Sequence, residues 1–320
     1  AAWAKFDDDF QRSAAIGAAT RNPAASIAAA LGSSDPSSLT PLVNSLVTRL
    51  AEANDSDAAA KLVIALASQP ASADELKTRI LDTLSKMLQQ PPAMTPALKA
   101  ALTTLLSSGA SGTALPLTAK WDAGRGDFAG IISGITEKLT RTVADAQADD
   151  AARVAAARTL LGIRSTSPAI LPALEAQLVA ATNAPSLKQG LIAALGETDE
   201  ATVGPMLAKA YAQLSPEAQS TAFETLVKRA DWATALLDGV QSKAIDATTF
   251  GPANAYRLRT HPAREIAERA EAMKDQLNPN EKAKNEVIAS LVPVVSKPAN
   301  LANGKTMFTV SCATCHKLND

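Results

Sequence analysis

Cysteine and histidine are nearly absent from this sequence, with two of each among 320 residues. Aromatic side chains make up 3% of it, and no segment alternates apolar and polar residues as a half-buried strand would. Those absences argue against a sheet. The wealth of Ala and Leu, punctuated by Gly and Pro, points instead to closely packed helices. No uninterrupted apolar run is long enough to cross a bilayer. The opening residues, Ala1-Ala2-Trp3-Ala4-Lys5, have neither the basic nor the apolar region of a secretory signal. Net charge is lacking too: 31 basic against 32 acidic residues give no general attraction to nucleic acid or to an anionic membrane. No serine or cysteine nucleophile has a base close by, and the carboxylates are dispersed. Asp7-Asp8-Asp9 and Asp149-Asp150 read as charges favoured at helix starts. No catalytic constellation emerges.

What is present is helical periodicity. Apolar spacing divides the chain into about fifteen to seventeen segments of roughly ten to twenty residues. Leu39, Leu42, Val43, Leu46, Val47 and Leu50 form one stripe, and Leu76, Ile80, Leu81, Leu84, Met87 and Leu88 another; such stripes bury one helix on the next. Pro23, Pro36, Pro70, Pro91-Pro92, Pro168, Pro185, Pro216 and Pro262 stand where helices begin or end. Trp3, Trp121 and Trp232 are read as packing residues. Around Trp121, Gly109-Ala110-Ser111-Gly112 and Asp122-Ala123-Gly124-Arg125-Gly126-Asp127 supply turn-formers; Gly124-x-Gly126 follows no strand and is read as a simple turn.

The length suits two or three ordinary domains or one elongated array, and a degenerate repeat favours the array. Ala29-Ala30-Leu31-Gly32 recurs as Ala193-Ala194-Leu195-Gly196, with Thr159-Leu160-Leu161-Gly162 as a variant. Gly196 follows Gly162 by 34 residues. Glycine in that place suits a left-handed turn that ends one helix before the next folds back. Stacked helix pairs of this kind build an α-solenoid; a less regular helical bundle is the alternative.

The scarce residues are concentrated in one place: Cys312-Ala313-Thr314-Cys315-His316 holds both cysteines and one of the two histidines. C-x-x-C-H is the attachment pattern of a c-type haem, in which two thiols bond the porphyrin edge and the imidazole binds iron. On a helical turn, positions i, i+3 and i+4 project to one side. A zinc site is the rival reading, but it needs four ligands and only His261 remains to help. His261 precedes Pro262 and a helix from Ile266 to Leu277, so Thr260 or His261 is expected to cap that helix. A thioredoxin-like C-x-x-C would need a βαβ context, which is missing.

The run Gly304-Lys305-x-x-Phe308-x-x-x-Cys312-x-x-Cys315-His316 resembles the opening of a cytochrome c domain. Asp150-Ala151-Ala152-Arg153, leading on to Gly162, resembles the second helix of a HEAT repeat. With the charged stretch from Tyr256 onward, which includes Arg257-Leu258-Arg259-Thr260-His261-Pro262, the chain resembles the HEAT-repeat and CxxCH haem-binding proteins of planctomycetes and verrucomicrobia.

The resemblance implies an all-α fold: a HEAT/armadillo-type solenoid over 1–296, then the truncated start of a cytochrome c domain over 297–320, joined at Ser296-Lys297-Pro298-Ala299-Asn300. It implies covalent haem c on Cys312 and Cys315, with His316 as the iron's proximal ligand and Gly304 and Phe308 shaping the helix alongside. A second axial ligand, usually Met, would lie beyond residue 320; Met307 precedes the motif and is not given that role. The chain is thus expected to be a fragment. Electron transfer to a redox partner or from an upstream dehydrogenase domain, on the extracytoplasmic side of a bacterial membrane, is the implied function. The alternative is an interaction scaffold whose C-x-x-C-H is metal-bound or unused.

Overall fold

A computed structural model describes residue 3 and residues 8–33 and 35–317. Asp7 and the last three residues of the expected haem domain, 318–320, lie outside them. Among the described residues there are 19 α-helices and no strand, so the chain is all-α. That number exceeds the fifteen to seventeen expected because a short helix, Lys274–Leu277, and turns without proline divide runs that look continuous in sequence. Contacts group the chain into two compact units, 1–200 and 201–320, and the joint expected near residue 296 falls inside the second.

The first unit contains α1 (Asp9–Ala19), α2 (Pro23–Leu31), α3 (Thr40–Glu52), α4 (Ser56–Ala67), α5 (Asp74–Met87), α6 (Pro96–Leu106), α7 (Ser111–Trp121), α8 (Ala129–Ala144), α9 (Asp150–Gly162), α10 (Ile170–Val179) and α11 (Pro185–Leu195). Their starts are set by local chemistry. Pro23, Pro96 and Pro185 occupy the first turns of α2, α6 and α11, where no amide hydrogen is needed. The side chains of Asn22, Asp55, Thr95 and Asp149 accept hydrogen bonds from the first free amides of α2, α4, α6 and α9. Helices two apart in sequence pack side by side: α3 on α5, α5 on α7, α7 on α9 and α9 on α11, with α2 on α4, α4 on α6 and α8 on α10 behind them. Between the two rows lies an aliphatic core in which Val43, Leu46, Val47, Leu50, Ile80, Leu81, Leu84, Leu160 and Leu191 are buried.

Polar contacts repeat the same offset. Asn54, at φ 53°, accepts hydrogen bonds from the backbone amides of Gln89 and Gln90, 35 and 36 residues on. Lys120 donates to the Ser85 carbonyl across 35 residues, Ser186 to Asp150 across 36, and Arg158 to Glu197 across 39. Arg153 is buried without a carboxylate. Its Nε donates to the Val143 carbonyl at the end of α8, and its Nη2 to Gln177 and Asn183, so one guanidinium ties α8, α9 and α10 together.

The glycine pattern marks helix ends, but not for the expected reason. Gly162 closes α9 and Gly196 caps α11, corresponding ends of two helices that pack together. Gly196 has φ −68°, and Gly162 is not among the glycines with positive φ, so neither makes a left-handed turn. The requirement at Gly162 is spatial: a Cβ there would stand 2.8 Å from Cγ of Pro116 on α7. Gly32 ends α2, which belongs to the other row, with φ −81°. Left-handed glycines occur at 124 and 126, in the turn between α7 and α8, where the buried Asp122 carboxylate accepts from the amides of Asp127 and Phe128. Trp121 beside this turn is buried, as is Trp232 in the second unit; Trp3 is half-exposed.

The second unit contains α12 (Val203–Ala210), α13 (Pro216–Leu226), α14 (Ala230–Gln241), α15 (Gly251–Arg259), α16 (Arg264–Ala272), α17 (Lys274–Leu277), α18 (Asn280–Val295) and α19 (Leu301–Ser311). The two-apart pairing continues: α12 packs on α14, α14 on α16 and α15 on α17. Tyr211, Phe223 and Phe250 form an aromatic cluster, with ring centroids of the last pair 5.2 Å apart. Arg257 pairs with Glu224 and Arg269 with Asp238, across 33 and 31 residues. Beyond α17 the burial stops. Residues 283–317 are exposed throughout except Phe308, which is half-buried.

Candidate functional site

The C-terminal arm carries the sequence motif on a simple backbone frame. The helix break lies where the sequence puts it: α18 ends at Val295, Ser296 caps it, and α19 starts after Asn300, whose side chain accepts from the Asn303 amide at 3.0 Å. Pro298 cannot donate to a continuing helix, which explains the break. Gly304 sits one turn into α19, where an added Cβ would meet nothing within 4 Å, and Phe308 follows one turn later on the same side. The Phe308 carbonyl accepts from the amides of both Cys312 (2.8 Å) and Ala313 (2.9 Å). This doubled bond ends the helix.

The motif then closes a turn of its own. The Cys312 carbonyl accepts from the amides of Cys315 at 3.1 Å and His316 at 2.8 Å, three and four residues on. Cys312, Cys315 and His316 therefore share one turn that is helical in its hydrogen bonding, and all three are exposed. Among the described residues no three His, Cys, Asp or Glu side chains gather as a ready-made metal site. Attachment to a macrocycle makes a different demand, because only the imidazole approaches iron while the thiols bond the ring's edge.

His261 is placed apart from the motif, at the corner between α15 and α16. Its Nδ1 accepts from the Ala263 amide at 3.1 Å, and its Nε2 lies 3.0 Å from the Val227 carbonyl. A carbonyl can only accept, so Nε2 carries the hydrogen and the neutral ring clasps the corner to the end of α13. The sequence put Thr260 or His261 at the cap of the next helix; instead Thr260 closes α15, α16 starts at Arg264 after Ala263 with no side-chain cap, and His261 holds the corner between them.

Two open clefts mark the first unit. One, of about 680 Å³, runs over α5, α7, α9 and α11 and is edged by the paired charges Asp82–Lys86, Arg158–Glu197 and Arg164 with Asp199. The other, of about 1100 Å³, lies between α8 and α10. Its Thr136, Thr140 and Thr166 hydroxyls donate to carbonyls of their own helices or turns, and Ser133 on its wall donates to the exposed Glu137 carboxylate one helical turn on, at 3.4 Å.

One feature was not singled out from the sequence. Val287, Ile288, Leu291, Val292 and Val295 recur at helical spacing on α18, and all are exposed, Ile288 by 49% and Val295 by 76%. The signal was available as i, i+1, i+4, i+5, i+8 periodicity, but periodicity alone does not distinguish a face that is covered from one that is not. Among the described residues no helix is long and apolar enough to cross a membrane. Set against profiles of known families, characterised proteins and solved structures, the chain matches none of them.

Proposed function

We propose that this chain is an electron-transfer protein: a HEAT/armadillo-type α-solenoid carrying a covalent c-type haem at Cys312, Cys315 and His316. The observation that carries the reading is that the two thiols and the imidazole are exposed on one turn at a helix end, where a flat ligand can reach all three. Cys312 and Cys315 would hold the porphyrin edge through thioethers, each S–H adding across a vinyl C=C to make one C–S and one C–H bond with no leaving group and no oxidant. His316 would supply a nitrogen to the iron, and the haem, when bound, would supply one-electron chemistry. The protein's own part would be to hold the ring edge and orient the imidazole.

The solenoid half of the reading is supported by the serial packing of helices two apart and by polar contacts that recur at offsets of 30 to 39 residues. A scaffold of this type would present the haem to a redox partner protein or to a dehydrogenase domain of the same polypeptide. The haem motif implies an extracytoplasmic location.

The test is expression of the chain in the periplasm of a cell that matures c-type haem. Wild type should keep haem absorbance and a one-haem mass increase after denaturation, and Cys312→Ser with Cys315→Ser should lose both. His316→Ala should keep covalent haem and lose the low-spin spectrum. A colourless wild type that binds zinc with help from His261 would replace this reading with the interaction scaffold.

A further inference from the structure

The corner held by His261 depends on a ring without charge. Its Nδ1 accepts from the Ala263 amide while its Nε2 donates to the Val227 carbonyl, 34 residues back. These bonds use both nitrogens, and only the neutral ring makes them together: an imidazolium carries hydrogen on both and has nothing with which to accept. Ala263 is the residue from which α16 starts, and α16 has no side-chain cap of its own. The ring's other bond ends on Val227, the C-cap of α13.

We propose that His261 is a proton-operated latch between these helices, closed while the imidazole is neutral and released from α16, but not from α13, when the imidazole takes up a proton. Geometry sets the direction. A proton on Nδ1 points at the Ala263 N–H, donor against donor, and that bond is lost. The Nε2 hydrogen still meets the Val227 carbonyl, where the added charge strengthens the bond and the carbonyl end of α13 favours a cation. The amino end of α16 opposes the same charge. No carboxylate bonds the ring to offset this. Near the corner Glu224 is taken by Arg257, Asp231 by Arg229, Glu271 by Arg259 and Glu268 by Arg264. Lys228, next to Val227, opposes a charge on the ring and Glu265, in the first turn of α16, favours it; the ring's bonds go to neither. Histidine changes charge between about pH 5 and 8, a range in which carboxylates and guanidiniums ordinarily keep theirs. From α16 the chain continues through α17 to the arm that bears the motif, so release acts at the root of that arm.

Amide exchange in the full chain, read residue by residue as protection relative to an unstructured peptide at the same pH, tests the latch at about pH 7.5 and about pH 5.5, on either side of the histidine range. In wild type the Ala263 amide should lose protection about tenfold at the lower pH, in step with the imidazole's own NMR titration, while amides inside α13 keep theirs. His261→Asn retains an oxygen that can accept from Ala263 and does not take up a proton, so protection should be alike at both pH values; His261→Leu should lack it at both. A ring that titrates with no change at Ala263 would overturn the proposal, and so would a ring that stays neutral at the lower pH. A loss of the same size in His261→Asn would assign the response to the neighbouring carboxylates and overturn it likewise.

Discussion

At Arg153 a full positive charge is buried among neutral acceptors: the Val143 carbonyl, Gln177 and Asn183. The carbonyl end of α8 carries partial negative charge, which makes it a suitable site for a cation. Arg153→Met would leave the Val143 carbonyl and the Asn183 side-chain oxygen short of a donor, while half-buried Gln177 still accepts from Asn183, at a cost of about 2–4 kcal/mol by the usual penalty for unsatisfied buried groups. Arg153→Lys should recover little of it, because an ammonium cannot fork to three partners in the guanidinium's plane. Chemical denaturation of the three proteins checks both statements. A second pair separates two reasons for glycine. Gly124→Ala, at φ 79° in open space, should lose about 1–2 kcal/mol from backbone conformation alone. Gly162→Ala has no such conflict but drives a methyl to 2.8 Å from Pro116, a rigid ring, and should cost about 1–3 kcal/mol by overpacking. Gly196→Ala, lacking a positive φ, should avoid the first of these penalties. Unfolding midpoints of the three variants, compared with an unchanged denaturant slope, distinguish these cases.

Helices were the most legible element. Prolines at 23, 185 and 216 stand at helix starts, and most of the Leu39–Leu50 row is buried, with Leu42 only half-covered. Pro116 and Pro293 lie inside helices, against the same rule; the first is in packed α7, the second in exposed α18. The motif residues fall on one turn, whose backbone geometry follows from local spacing. What escaped the sequence was relational: that Gly162 faces Pro116, that Arg153 reaches into the next helix pair, and that the face of α18 is left bare. Each depends on which residues meet across 30 or more positions, and spacing within one helix does not carry that information. The elements of the second unit also predict a pH response. Arg257 donates to Glu224 and holds its carboxyl below the ordinary 4.5, and Arg259 does the same for Glu271. A depressed carboxylate stabilises the fold above its unfolded pKa, and this is lost as pH falls through the folded value. Thermal stability should therefore decline below about pH 4.5, with Glu224→Gln showing a shallower decline. At the other extreme, burial pushes the Tyr211 hydroxyl up to about 12, against the lowering effect of its Thr249 hydrogen bond. The unfolded chain ionises near 10.0, so stability should fall between pH 10.0 and about 12. Melting curves of wild type and Tyr211→Phe across that range give the comparison, the variant being flat where the parent declines.

At the scale of the whole chain, side-chain contacts stay short in sequence: the longest hydrogen bond described above spans 39 residues, Arg158 to Glu197. Nothing in such a pattern requires the two ends of the polypeptide to find each other before the middle can form. Ordering can start at any well-packed pair and spread to its neighbours, so folding should be fast for a chain of this size and unfolding should proceed in stages rather than in one step. The same feature bears on descent. A fold closed by long-range contacts can be lengthened or shortened only by rebuilding its core, whereas within each unit here the described helices pack mainly on those one or two along in sequence. Duplication or loss of one pair would leave the packing grammar of the others intact, and relatives of this protein should differ in the number of their helices more readily than in the way those helices meet.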